Sequence, residues 1–129
     1  MGAAPLPILS CGMACQFNSA EVVAMDELQP YIDDALDLIE FANGAVTTPW
    51  GKLRNELGHP LPFNLKYIGV GNEQWESQYI ERYKVFEQAI LAKYPDIKIV
   101  SGSGPSRDGE YFNYAWKELK KLQPALIDE

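Results

Sequence analysis

Lys66-Tyr67-Ile68-Gly69-Val70-Gly71-Asn72-Glu73-Gln74-Trp75 decides how the rest of the chain is read. Its first half is apolar with strand character, it breaks at Gly71, and a helical pattern starts beyond Trp75. A buried strand ending in Asn-Glu beside a large aromatic brings three useful side chains to one point. The carboxyl can protonate a glycosidic oxygen, the amide can hold a sugar hydroxyl, and the indole can cover a sugar face. The same dipeptide also occurs at plain strand-to-helix turns, where the glutamate caps the next helix. Residue type alone leaves Trp75 open between a stacking platform and a core wedge.

Outward from this stretch, short apolar runs alternate with amphipathic ones. Leu6 to Ser10 reads as a first strand and Met13 to Met25 as a loop. Asp26 offers an N-cap with Gln29 three positions on. Leu28, Ile32, Ala35, Leu36, Ile39 and Phe41 then follow helical spacing up to Asn43-Gly44. Thr47-Thr48-Pro49 starts a short helix over Trp50 to Leu57. Pro60 and Pro62 lead into the second strand, Leu65 to Val70. Between Ser77 and Tyr94 the residues Tyr79, Ile80, Tyr83, Phe86, Ile90 and Leu91 form one stripe, closed by Pro95. Ile97 to Val100 is the third strand. A helix over Glu110 to Leu122 turns Phe112, Ala115, Trp116 and Leu119 inward, and Ala125-Leu126-Ile127 begins a fourth strand.

Strands separated by amphipathic helices imply an α/β fold with parallel pairing through crossovers. Nearly all-apolar strands are those of a sheet covered on both faces. Four strands do not close an eight-stranded barrel, so the choice is a small open sheet or a slice of a (β/α)8 barrel. A chain that begins on a strand and stops within another leaves edges that an independent domain normally blunts. The slice is therefore expected, and Met1-Gly2-Ala3-Ala4-Pro5 reads as a start placed on the middle of something longer.

A chain of 129 residues, 47% hydrophobic, can bury one core. A net charge of −7 with scattered acids argues against nucleic acid or an anionic membrane as partner. No apolar run approaches the ~20 residues of a membrane span. The opening residues have no basic n-region of a signal peptide. Cys11 and Cys15 are too few for a disulfide scaffold and have no companions at metal-ligand spacing, so both read as packing residues. His59, before Pro60, reads as structural. Ser101-Gly102-Ser103-Gly104 has a Gly-x-Gly but no following Lys, which makes it a tight turn at the mouth rather than a phosphate site. Asp128 and Glu129 end the fourth strand on the same face as Glu73.

Several stretches taken together resemble glycoside hydrolase family 51, the α-L-arabinofuranosidases. They are the run from Leu28 to Phe41, Tyr67 to Trp75, Tyr79-Ile80-Glu81-Arg82-Tyr83, Lys93-Tyr94-Pro95-Asp96-Ile97 and Ser101-Gly102-Ser103-Gly104. Tyr114-Ala115-Trp116-Lys117-Glu118-Leu119 and the terminal Asp128-Glu129 continue the likeness in order. The resemblance implies a (β/α)8 TIM barrel followed by a β-sandwich, of which residues 1–129 would be a single fragment spanning the third to sixth strands. Strands one, two, seven and eight and the sandwich would be absent. It implies retaining hydrolysis of terminal non-reducing α-L-arabinofuranosyl residues from arabinose-containing oligo- or polysaccharides. Glu73 matches the acid/base after strand four, and Asn72 the asparagine that holds the 2-hydroxyl. Trp75 matches an aromatic position near the acid/base. The nucleophile after strand seven has no counterpart here, so the isolated chain is expected to be inactive.

No metal cluster is visible in the sequence, and the resemblance implies no cofactor. Exposed strand edges imply self-association as a way to cover them. Related barrels with Asn-Glu after strand four act on xylan, mannan or glucan, and a non-catalytic carbohydrate-binding module is the reading from another class. The compartment (cytoplasm, periplasm or exterior) is not encoded in these residues, since any export signal would precede Met1.

Overall fold

Each apolar run pairs in parallel with its neighbour, because every connection between them carries helix long enough to bring the chain back to the starting edge. The computed structural model of the chain describes residues 2–122 and 124–128. Strands β1 (Ile8–Leu9), β2 (Tyr67–Val70), β3 (Lys98–Gly102) and β4 (Leu126–Asp128) form one parallel sheet in that order. Helices α1 (Gln29–Asn43) and α2 (Pro49–Glu56) connect β1 to β2, α3 (Glu76–Lys93) connects β2 to β3, and α4 (Gly109–Leu122) connects β3 to β4. No helix among the described residues is long and apolar enough to cross a membrane.

The register separates the two faces. Leu9, Val70, Ser101 and Ile127 are partners along one row, and they face the helices: Val70 and Ser101 are buried, while Leu9 and Ile127 pack on the core. The neighbouring row is Ile8, Gly69, Val100 and Leu126. Here Ile8 is 51% and Leu126 50% exposed, so this apolar row has no layer over it in the described chain. Gly69 makes room within it, since a Cβ there would lie 2.9 Å from Ile8 Cγ1.

The helix-side core is built from the expected stripes, with exceptions. Leu28, Ile32, Ala35 and Ile39 are buried from the first, and Tyr79, Ile80, Tyr83, Phe86 and Ile90 from the third helix. Leu91 is exposed and Arg82 buried instead, its guanidinium donating to the Gln78 side chain at 2.7 Å and to the Val23 carbonyl. Phe112 and Trp116 are only half-buried and stack on each other, leaving Ala115 and Leu119 as the buried face of α4. Asp26 is no N-cap: it lies in a 3₁₀ turn, Met25–Glu27, and α1 starts at Gln29 with Leu28 at the cap and Pro30 in its first turn. Proline's fixed φ sets that start where no capping side chain does. Thr48 does cap α2, its hydroxyl accepting from Gly51 N at 3.2 Å.

Two polar clusters, one around half-buried Asn43 and one around buried Arg54, hold the connection into β2. Asn43 exchanges hydrogen bonds with the Leu65 backbone at 2.7 and 2.8 Å. Arg54, 1% exposed, donates to the carbonyls of Phe41, His59 and Pro60 at 2.8, 3.0 and 3.2 Å. His59 thus enters through its carbonyl, with its exposed ring beside Phe63.

Where β2 and β3 diverge, the buried Tyr79 hydroxyl donates to Val70 O at 2.7 Å and accepts from Gly102 N at 2.9 Å. Burial pushes the phenol's pKa above the ordinary tyrosine range, which favours the protonated, donating form. Tyr79→Phe keeps the ring and leaves both backbone groups without this partner. It is expected to lower unfolding stability by about 1–3 kcal/mol, measured by urea denaturation, while Tyr67→Phe at a half-exposed position serves as the neutral control.

Candidate active site

The sheet's C-terminal end is where loops after each parallel strand converge. Gly71 ends β2 with φ +78°, and a Cβ there would meet Tyr79 Cε2 at 2.7 Å, Gln74 Oε1 at 2.9 Å and Cys11 Sγ at 3.2 Å. Only glycine fits so close an approach in the left-handed region. Two residues on, Glu73 is also left-handed, with φ +60°. That conformation is disfavoured for a side chain of this kind and persists only where its surroundings over-determine it.

The surroundings come from the loop after β1. Gln74, buried, donates from Nε2 to Met13 O at 3.2 Å and Ala14 O at 3.4 Å. Its Oε1 accepts from Asn72 N and from Cys11 Sγ. Gln16 N donates to Glu73 O at 2.9 Å, and Gln16 Oε1 accepts from Trp75 N. Between these bonds, Cys15 Sγ donates to Glu73 Oε2 at 2.8 Å.

Asn72, Glu73 and Trp75 all line one cavity of about 480 Å³. Its floor is the open row Ile8, Gly69, Val100 and Leu126, and Phe17 and Asp128 reach its rim. Asn72 and Glu73 are exposed, whereas Trp75 is 8% exposed and wedged at the N-cap of α3. Phe17, 67% exposed, meets the indole edge-on with centroids 4.8 Å apart, and Tyr111 approaches from α4 at 6.1 Å. Gly102, Gly104 and Pro105 line the same mouth. Glu129 lies outside the described residues. Among the described residues no group of three His, Cys, Asp or Glu side chains is gathered as a metal site.

Cys11 packs in the core as read from the sequence, and burial lifts its thiol to about 11. Cys15 does not: it is half-exposed and belongs to the site. Gln16, Phe17 and Gln74 were likewise not legible as site residues. The available signal was Cys15-Gln16-Phe17, a polar and aromatic triplet in the loop after a strand, on the end where such loops converge.

Residues 1–124 match the family model of the α-L-arabinofuranosidase 1 domain. The chain belongs to this family. It is 45% identical over its whole length to an extracellular exo-α-L-arabinofuranosidase of Streptomyces chartreusis, covering 16% of that protein. It is 38% identical over 88% of its length to α-L-arabinofuranosidase 2 of Arabidopsis thaliana, covering 17% of it. In structure it is similar to an arabinose-bound family GH51 α-L-arabinofuranosidase, with a TM-score of 0.67 and 32% identity over 74% of this chain and 15% of the other. The chain thus spans about a sixth of the length of the relatives it matches.

The Glu73 carboxylate, by accepting its hydrogen bond, holds the Cys15 proton above the ordinary thiol range, and burial adds to this. A raised thiol has little thiolate at pH 8, so it reacts slowly. Removing the negative charge in Glu73→Gln is expected to speed alkylation of Cys15 by iodoacetamide at pH 8 several-fold, as read by mass spectrometry of the labelled peptide. Equal rates in the two proteins would mean that thiol and carboxylate do not meet in solution.

Proposed function

We propose that this chain is the acid/base-bearing part of a retaining α-L-arabinofuranosidase, covering the third to sixth strands of its (β/α)8 barrel. The observation that carries the reading is Glu73, immediately past the C-terminal end of β2, its carboxylate exposed in a cavity open on the sheet's unlayered face. Catalytic groups of such barrels collect at that end of the strands. The relatives in Streptomyces chartreusis and Arabidopsis thaliana are arabinofuranosidases, and they supply the sugar, arabinofuranose.

In this reading, protonated Glu73 donates to the glycosidic oxygen while a second carboxylate attacks the anomeric carbon and the C–O bond breaks. The ionised Glu73 then takes a proton from water as the water oxygen attacks the same carbon, the bond from that carbon to the second carboxylate breaks, and arabinose leaves with its configuration retained. Asn72 holds the 2-hydroxyl, and Trp75 shapes the pocket wall. Asp128 shares the cavity, but the resemblance places the nucleophile, a glutamate, after strand seven, and β4 would be the sixth strand. We therefore assign the nucleophile to residues outside this chain, along with the remaining strands and the β-sandwich. The exposed row ending in Ile8 and Leu126 supports this, and in the isolated chain it is a surface for self-association.

In the full-length protein carrying this chain, Glu73→Gln is expected to lower kcat/KM on an arabino-oligosaccharide by about 10²–10⁴-fold. The first product seen by NMR should be the α anomer. Full activity in the variant, or the β anomer first, would overturn the mechanism, and faster cleavage of an aryl xyloside would overturn the sugar. Residues 1–129 alone should release no nitrophenol from 4-nitrophenyl α-L-arabinofuranoside. Release that disappears in Glu73→Gln would mean a complete site forms without further chain.

A further inference from the structure

We propose that Cys15 is a positioning residue for the acid/base, its thiol fixing which oxygen of Glu73 delivers the proton; this rests on the acid/base reading of Glu73. Among the described residues, the thiol is the recorded hydrogen-bond partner of that carboxyl group, at 2.8 Å from Oε2. A glutamate side chain exposed in an open cavity has three torsions to settle, and among the described residues no group of β2 donates a hydrogen bond to its carboxylate.

The thiol can do this because its own position is fixed from both sides. Before it, Met13 and Ala14 are held through their carbonyls by the buried Gln74 amide. After it, Gln16 is bonded through backbone and side chain to Glu73 and Trp75. The Cys15 carbonyl closes the loop by accepting from Asn18 N at 3.0 Å and Ala20 N at 3.2 Å. The donor therefore belongs to the same rigid unit as the carboxyl's own backbone. With Oε2 occupied by S–H, Oε1 is the oxygen free to carry a proton into the cavity. The carboxylate in turn keeps the thiol protonated, so the donor persists as pH rises.

The role separates from mere packing through the leaving group. An activated phenol departs with little protonation, whereas an alkyl or sugar alcohol needs the acid fully in place. In the full-length protein, kcat/KM for Cys15→Ala is expected to fall least with 4-nitrophenyl arabinofuranoside. It should fall about tenfold with methyl arabinofuranoside, steepening the dependence on leaving-group acidity. Cys15→Ser, which keeps a donor, should recover most of the loss. An equal loss across the series, no loss at all, or a serine variant as impaired as alanine would overturn the proposal. Glu73→Gln is measured on the same series. If it loses no rate with methyl arabinofuranoside, the acid/base reading falls and this role with it. If it does lose rate while Cys15→Ala matches wild type, only the role of Cys15 falls.

Discussion

The site depends on a single buried amide. Gln74 uses both ends of its side chain: the nitrogen donates into the loop after β1, and the oxygen accepts from the turn that holds Glu73 and from Cys11. A buried primary amide is costly unless its donors and acceptor are matched. Here the match is achieved only when two segments some sixty residues apart lie against each other at one register. Gly71 permits the approach, the Tyr79 hydroxyl fixes the strand ends beneath it, and Gln16 closes the top. What is two loops in sequence is one body in space.

This explains what was legible beforehand and what was not. Strand and helix identity came from local apolar runs and their period, and these are properties of neighbouring residues. Glu73 stands out as a candidate because its partners in the argument, Asn72 and the preceding strand, are adjacent to it. Cys15 reads as packing in sequence because what defines it lies at Glu73, 58 positions on. Asp26 reads as a cap from a local pattern that Pro30 overrides. Leu91 and Arg82 changed places because Arg82 found carbonyl and amide oxygens beside the β1–α1 loop, and no stripe on α3 alone foretells that.

The sheet's two faces give the chain different degrees of closure. The helix side is filled with aliphatic and tyrosine side chains and stapled by Asn43 and Arg54 at the entrance to β2. The other side presents aliphatic side chains directly beneath the cavity that holds Glu73. Site and open face are thus continuous, and whatever layer covers the row of Ile8 and Leu126 also sets the depth of the pocket above it.

The left-handed backbone at Glu73 has an evolutionary consequence. Glycine or asparagine would suit that conformation better than glutamate, so folding alone pulls the position away from the residue present. Copies of this domain released from selection for chemistry should therefore lose Glu73 early in their drift, and by doing so gain rather than lose stability. Its persistence in a lineage would be a record of use.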